Sequence, residues 1–190
     1  PPSFRAKRHK GGMTTRHYCL LAPLFAVVMT SNGLAAPAAS ADLIIVGAGV
    51  LGRRVAKMWQ DVHDGEAVVY AVTRTLDAER KAELESLGCR PVTQQELQDK
   101  SYLHNGAYSN VVFCAPPSGN DDYAGAVQSA VQLWNGAGGL VFTSSSGVYL
   151  ANDMETVTES STVQETERAQ KLTAGEAAVT AAGGVVLRLA

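Results

Sequence analysis

Ile44-Ile45-Val46-Gly47-Ala48-Gly49-Val50-Leu51-Gly52 is an apolar run followed by three glycines in the spacing G-x-G-x-x-G. The run predicts a short buried strand, and the residues after the glycines predict a helix over 50–62. Gly47 permits a tight turn, Gly49 allows close approach to the backbone, and Gly52 lets the helix pack closely on the strand. The stretch therefore predicts a strand, a glycine-rich turn and a helix as one unit.

The glycine-rich turn is a predicted anion site. The first backbone N–H groups of a helix have no partner within the helix, and the helix dipole places positive charge there. We predict that a dinucleotide pyrophosphate binds to five residues, which are Gly47, Gly49, Val50, Leu51 and Gly52. The alternative is a glycine-rich turn without a ligand.

Downstream of this unit, short β-branched runs alternate with longer amphipathic segments. This alternation predicts parallel strands joined by right-handed helical crossovers. The predicted class is α/β, a doubly wound parallel sheet of about six strands with helices on both faces. The predicted strands are 43–46, 68–73, 90–93, 111–115, 140–144 and 185–189. The predicted helices are 50–62, 76–87, 94–99, 121–135 and 162–182.

Charge is divided unevenly along the 190 residues, of which 46% are hydrophobic and 18% charged. Residues 1–41 carry five basic residues and no carboxylate, so 11 basic and 18 acidic residues fall in 42–190, a net charge of −7. This composition predicts one compact domain, and the net negative charge of residues 42–190 argues against a nucleic-acid partner. Neither cysteine nor histidine spacing indicates a metal site.

Residues 1–41 are basic at the start, apolar over 19–29, then small and polar, which is the layout of a targeting leader that is disordered or cleaved. The apolar part is about half of the roughly 20 residues that span a bilayer, so we expect no stable membrane anchor. The lack of acids favours a plastid transit peptide and a chloroplast location. A signal peptide that starts at Met13 is the alternative, and a disordered terminus is a third. Residues 42–190 are the predicted folded domain.

The end of the second predicted strand distinguishes the two nicotinamide dinucleotides. An NAD site offers Asp or Glu to the ribose about 20 residues after the glycines, whereas a 2′-phosphate favours Arg without a carboxylate. This chain has Thr73-Arg74-Thr75 there. We predict that Thr73 and Arg74 bind NADP in preference to NAD. Arg74 as a solvated charge is the alternative.

The fourth predicted strand ends in Ala115-Pro116-Pro117. Prolines cannot continue a strand ladder, so they turn the chain over the crevice, and we predict Ala115 and Pro116 as cofactor neighbours. The following Asp121-Asp122-Tyr123 predicts a helix cap.

The fifth strand and its loop read Leu140-Val141-Phe142-Thr143-Ser144-Ser145-Ser146-Gly147-Val148-Tyr149. This sequence resembles the extended and atypical short-chain dehydrogenases/reductases, the NAD-dependent epimerase/dehydratase group, which carry Ser-Ser-x-x-Val-Tyr here. Together with the glycines, Thr73-Arg74 and the terminal Leu187-Arg188-Leu189-Ala190, the resemblance covers residues 42–190. It implies an NAD(P)-binding Rossmann domain in which Ser145 hydrogen-bonds the substrate oxygen, with Ser144 as the fallback. It also implies that Tyr149 supplies a hydroxyl to the site or supports the loop.

The chain departs from this group in the Tyr-x-x-x-Lys sequence that usually performs acid–base catalysis. No tyrosine follows Tyr149, and the two possible alignments place Glu167 or Arg168 at the tyrosine position, with Lys171 nearby. Relatives also continue into a C-terminal substrate-binding part, so either the sequence is truncated or the protein has little substrate pocket.

The sequence predicts an NADP-dependent oxidoreductase or epimerase of a small, sugar-like carbonyl or hydroxyl substrate, with Ser145 and Tyr149 as catalytic candidates. The alternative is a non-catalytic dinucleotide-binding module, such as a redox sensor or an assembly factor. A third possibility, a secreted protein that no longer binds a dinucleotide, follows if the leader is a secretion signal.

Overall fold

The computed structural model describes residues 40–99, 108–151 and 155–190. The predicted leader lies outside the described residues except for Ser40 and Ala41. Ser40 N donates to Ser109 Oγ at 3.1 Å, and Trp59 Nε1 donates to the Ala41 carbonyl at 2.8 Å, so both residues contact the folded body. In the described ranges, no helix has the length and apolar character needed to cross a membrane.

Six strands and five helices alternate along the described chain. The strands are β1 (Leu43–Val46), β2 (Val69–Thr73), β3 (Cys89–Thr93), β4 (Asn110–Phe113), β5 (Leu140–Ser145) and β6 (Val185–Leu189). The helices are α1 (Val50–Val62), α2 (Ala78–Ser86), α3 (Gln94–Asp99), α4 (Tyr123–Leu133) and α5 (Glu167–Ala181). All neighbouring strands are parallel, in the order β3-β2-β1-β4-β5-β6. The doubly wound α/β prediction is therefore confirmed.

The strand order reverses between β1 and β4, and ligands of open α/β sheets bind outside the carboxyl ends of strands at such a point. All four residues of β1 are buried, because successive side chains point to opposite faces and both faces are covered. Leu43 and Ile45 pack with residues of α1 and α2 on one face. Ile44 and Val46 pack with residues of α4 and α5 on the other. The sheet thus has helices on both faces, as expected.

Three helices begin later than the sequence pattern predicts, because a polar side chain caps each of them. The Asp77 carboxylate accepts from Arg80 N at 2.8 Å, so α2 begins at 78 rather than 76. Asp122 caps α4 by accepting from Gly125 N at 2.9 Å, which confirms the predicted cap and moves the start from 121 to 123. Thr166 caps α5.

The predicted start of α5 at 162 is wrong. Val163 forms an antiparallel bridge with Tyr149, so the chain before Thr166 is extended. The predicted end of β4 at Ala115 is wrong too, because the strand stops at Phe113. Cys114 N still donates to the Val46 carbonyl at 2.7 Å, but Pro116 and Pro117 have no N–H with which to extend the ladder.

Candidate functional site

The glycine turn after β1 lies directly against the loop after β4. Gly47 has φ +97°, a conformation that favours glycine, and a Cβ built on it would lie 2.4 Å from Ala115 N. Gly47 N and Ala48 N both donate to the Val72 carbonyl at 3.0 Å, which holds the turn against β2 as well. The turn therefore sits where β1, β2 and β4 end, and the fold brings the predicted residues Gly47 and Ala115 together.

The other two glycines of the turn differ in packing: Gly52 is in close contact with its surroundings, and Gly49 is not. A Cβ on Gly52 would lie 2.6 Å from the Gly47 carbonyl oxygen, so this glycine permits α1 to pack closely on the turn. Gly49 precedes α1 as an extended cap residue without a side-chain cap, and a Cβ there would meet no atom within 4 Å. Val50 is 68% exposed and Leu51 37%. The start of α1 is thus exposed and has no acidic side chain in its first turn, an arrangement that suits an anion.

The end of β2 supplies a buried hydroxyl without a partner. Thr73 is buried, and its Oγ1 makes no hydrogen bond within the described structure. A buried polar group in this state costs about 1–3 kcal/mol, and such groups in native proteins usually find a partner. The Thr73 hydroxyl is therefore a buried polar group without a described partner at the strand end next to the glycine turn.

Arg74 reaches from the end of β2 to the loop after β4. Its Nη2 donates to the Ser118 carbonyl at 3.4 Å, and a Cβ on Gly119 would lie 2.9 Å from its Nη1. Arg74 forms no ion pair with a carboxylate among the residues that the structure covers. Pro116, the other predicted neighbour in that loop, is exposed. The guanidinium therefore keeps most of its donors available at the crevice.

The two serines that end β5, Ser144 and Ser145, make different contacts. Ser145 is half-buried, and its Oγ accepts from Gly147 N at 3.1 Å, which caps a short 3-10 turn over Ser146–Val148. That bond uses the oxygen as acceptor and leaves the hydroxyl proton available for another partner. Ser144 is buried and donates to Glu176 Oε1 at 2.5 Å. The fallback residue Ser144 is thus engaged in the interior, whereas Ser145 retains a donor.

Glu176 is the centre of a buried polar network that sequence reasoning missed. Arg188 Nε donates to its Oε1 at 2.9 Å, and Nη2 approaches its Oε2 at 2.5 Å. Burial opposes ionisation of this carboxyl, but the hydrogen bonds from Arg188 and Ser144 outweigh that effect and lower its pKa. Glu176 in turn raises the pKa of Arg188 above its ordinary value. The available signal was a lone acid in the apolar spacing 169, 172, 176 and 179 of α5.

Tyr149 belongs to the same network. It is buried, and the Arg188 guanidinium lies over its ring at 4.8 Å from the centroid. Its backbone N donates to the Ser146 carbonyl at 3.1 Å, so the residue ends the 3-10 turn. These contacts give Tyr149 a loop-supporting position between β5 and β6.

Glu167, one of the two residues that align with the family tyrosine, forms an ion pair with Lys171. Lys171 Nζ lies 2.8 Å from Glu167 Oε1 on an exposed part of α5, and this contact raises the pKa of Lys171 and lowers that of Glu167. The phenol of Tyr123 donates to the Ala115 carbonyl at 2.9 Å at the crevice, but burial raises its pKa. Tyr123 therefore stays protonated and supports the loop after β4.

Two clefts open at the carboxyl ends of the strands. The larger, about 700 Å³, includes Ser146, Tyr149, Glu159 and Arg188 in its lining. The smaller, about 350 Å³, is lined by apolar and polar residues, which include Val46, Gln94, Leu97, Asn120, Ala126 and Ser129.

Together, the sheet order, the glycine turn at the switch point and the crossover helices define a doubly wound α/β fold of the Rossmann type. This confirms the fold that the resemblance implied. No protein-family model matches the sequence, and no curated protein matches it significantly.

Solved structures of UDP-glucuronic acid 4-epimerase from Bacillus cereus share this fold. The complex with UDP-glucuronic acid and NAD matches 77% of this chain with a TM-score of 0.55 and 14% identity. The complex with NAD matches with a TM-score of 0.57 and 13% identity. A mutant in complex with UDP-4-deoxy-4-fluoro-glucuronic acid and NAD matches with a TM-score of 0.59 and 14% identity. The chain spans 55% of the length of these epimerase chains, and identity this low establishes the fold alone.

The residues of the crevice fit a dinucleotide. Open space at Gly49 lies beside first-turn amides, and substitution there would fill that space with a Cβ. The unpartnered Thr73 hydroxyl and the Arg74 donors lie at the next strand end. The turn would hold a pyrophosphate, and Thr73 and Arg74 would hold the adenosine ribose and its substituent.

Proposed function

We propose that this protein binds NADP in the crevice between β1 and β4 and acts as an oxidoreductase or epimerase on a small, sugar-like carbonyl or hydroxyl substrate. The observation that carries the proposal is the glycine turn, which has open space at Gly49 and is hydrogen-bonded to Val72, the residue before the unpartnered Thr73. The neighbours in complex with NAD and a nucleotide sugar support the choice of cofactor class and substrate class.

Preference for NADP over NAD rests on charge at the end of β2. Thr73-Arg74-Thr75 contains no carboxylate that could accept hydrogen bonds from ribose hydroxyls. The next acid along the chain, Asp77, is engaged as the cap of α2. Arg74 presents a planar set of donors that matches a phosphate and that no described carboxylate neutralises. A 2′-phosphate would therefore gain a charge-assisted contact here.

The proposed chemistry assigns Ser145 to the substrate. When bound, NADP accepts a hydride at its nicotinamide, and its reduced form returns one. Ser145, whose Oγ accepts from Gly147 N and keeps its own proton to donate, would hydrogen-bond a substrate oxygen and favour negative charge on it. Tyr149 orients the Ser146–Val148 turn through its packing under Arg188. Because no phenol follows it, we expect slow proton transfer and low turnover.

A second candidate is a dinucleotide-binding module without turnover, such as a redox sensor or an assembly factor. The missing phenol favours it, because neither residue that aligns with the family tyrosine, Glu167 or Arg168, can replace a tyrosine in acid–base catalysis. In this case NADPH binds with the same preference, and no substrate is oxidised or reduced.

Calorimetric titration of the purified protein with NADPH and NADH tests the binding proposal. We expect tighter binding of NADPH, and Arg74→Ala should weaken it tenfold to a hundredfold, since a charge-assisted hydrogen bond contributes about 1.5–3 kcal/mol. Arg54→Ala, an exposed charge on α1, is the matched control. Absence of binding by either nucleotide refutes the proposal.

Turnover separates the two candidates. Sugars, nucleotide sugars, aldehydes and ketones are offered to the NADP-loaded protein, and nicotinamide absorbance together with sugar configuration is followed. Activity that Ser145→Ala abolishes supports the enzyme. Nucleotide binding without any turnover supports the non-catalytic module.

We also propose a plastid destination for the protein, with the secretory pathway as the alternative. The acid-free, basic and hydroxylated leader over 1–41 supports it. A fusion of this segment to a fluorescent protein, imaged in plant or algal cells, tests the assignment. Fluorescence in the secretory pathway would overturn it.

A further inference from the structure

Arg80 on the first turn of α2 contacts the glycine turn. Its Nη2 donates to the Ala48 carbonyl at 3.0 Å, and Ala48 stands between the first two glycines of the turn. The backbone of Arg80 is held as well, because its N donates to the Asp77 carboxylate at 2.8 Å. No pattern in the sequence assigns a role to this side chain.

Arg80 differs from its basic neighbours in its partners. Arg53 on α1 is paired with Glu83, and Lys81 with Glu85. Neither Arg80 nor Arg74 has a carboxylate partner within the described ranges. A guanidinium carries five N–H donors, and Arg80 is half-buried with one described side-chain contact, to a neutral carbonyl. It therefore has donors left for an anion.

Arg80 and Arg74 each contact one of the two loops that meet at the end of β1, the glycine turn and the loop after β4. Gly47 N and Ala48 N bind the Val72 carbonyl, so the turn that Arg80 contacts is fixed against the last residues of β2. Thr73, with its buried and unpartnered hydroxyl, and Arg74 follow directly. Arg74 is held from the side of β4 by the Ser118 carbonyl. Arg80 is held from the side of β1 by the Ala48 carbonyl.

We infer that Arg80 is a specificity-determining residue for NADP, and that it binds the 2′-phosphate together with Arg74 and Thr73. This inference rests on the proposed function. Each arginine is held by a neutral hydrogen bond in the structure, and a phosphate is the stronger acceptor for a guanidinium. NAD has a 2′-hydroxyl in place of the 2′-phosphate, and a neutral hydroxyl is a weaker partner for a guanidinium than a phosphate is. Contact between Arg80 and the 2′-phosphate would thus favour binding of NADP over NAD.

The test compares the whole protein with its Arg80→Gln and Arg54→Gln variants. Calorimetry measures the dissociation constants of NADPH, NADH and 2′,5′-ADP, a fragment that carries the 2′-phosphate without the nicotinamide. Arg80→Gln should weaken NADPH and 2′,5′-ADP tenfold to a hundredfold and change NADH less than threefold. Arg54→Gln, which removes the same charge from α1, should leave all three constants within threefold.

Arg80→Lys keeps the charge and loses the forked geometry, so we expect an intermediate loss of NADPH affinity. This variant gives the same comparison if the glutamine variant does not fold. Equal weakening of NADPH and NADH would show that Arg80 only supports the glycine turn, and would overturn the inference. Unchanged NADPH preference in both variants, while Arg74→Ala abolishes it, also overturns the inference but leaves the proposed function intact. If the wild type binds neither dinucleotide, the proposed function itself fails.

Discussion

Alanine at Gly47 and at Gly49 should have opposite consequences, although the two residues belong to one turn. A Cβ on Gly47 would lie 2.4 Å from Ala115 N and 2.6 Å from Ala115 Cα, and its φ of +97° is unfavourable for alanine. Backbone atoms cannot move aside as a flexible side chain can. Gly49 has φ −75°, and no atom lies within 4 Å of a Cβ there. Alanine at Gly49 therefore meets neither strain nor overlap.

The magnitudes follow from these two environments. For Gly47→Ala, the left-handed backbone costs about 1–2 kcal/mol, and the overlap costs about 1–3 kcal/mol. A loss of about 3 kcal/mol lowers the melting temperature of a domain of this size by roughly 6–12 °C. Gly49→Ala should change the free energy of unfolding by less than about 1 kcal/mol. Its methyl group fills the space assigned to the pyrophosphate, so NADPH affinity should fall at least tenfold.

Thermal and urea unfolding of the two variants and the wild type measure the first effect, and calorimetry with NADPH measures the second. Each variant is the control for the other, because both make the same chemical change two residues apart. A wild-type melting temperature for Gly47→Ala would refute the close contact of the turn with the β4 loop. Wild-type NADPH affinity for Gly49→Ala would refute the pyrophosphate site.

The buried network and the thiols give two further predictions. Glu176→Gln leaves Arg188 without its counter-charge and should lower the free energy of unfolding by about 2–4 kcal/mol at pH 7 in urea denaturation. The folded-state pKa of Glu176 is lowered from 4.5, so the stabilisation from its ionised form is present above that pH and is lost as the pH falls below it. The free energies of unfolding of wild type and variant should therefore converge in acid. A difference that stays constant with pH would contradict the ion pair. Burial raises the pKa of Cys89 and Cys114 to about 11, so iodoacetamide at pH 8 should alkylate neither thiol until the protein unfolds. Peptide mass spectrometry measures the labelling, and rapid modification of the folded protein would count against their burial.

Local sequence was sufficient to predict the β1–turn–α1 unit. β1 and α1 have the predicted bounds because their signals, an apolar run, three glycines and an amphipathic period, all lie within the elements themselves. α3 and β6 also have their predicted bounds. The start of α5 could not be predicted in this way, because Val163 pairs with Tyr149, 14 positions earlier in the sequence. Pairing between distant residues overrides local helix preference there.

In the candidate site, too, local sequence predicted some features, and others depend on contacts between distant residues. Spacing and residue type pointed to the glycines, Thr73 and Arg74. The resemblance assigned the substrate contact to Ser145 and kept Ser144 as the fallback, because both are serines at the end of one strand. The difference arises from Glu176, which takes the Ser144 hydroxyl from across the α5 packing surface. Arg80 has no sequence signal for the same reason, since its contact with Ala48 crosses 32 positions.

The sequence alone determined the fold class and the chemistry offered at its crevice, because periodicity, glycine spacing and the absence of an acid after β2 are properties of neighbouring residues. Only the tertiary structure decided which hydroxyls and guanidiniums remain available for a ligand. A polar group is free or engaged according to what lies within about 3 Å of it, and in this protein those partners come from other strands and helices.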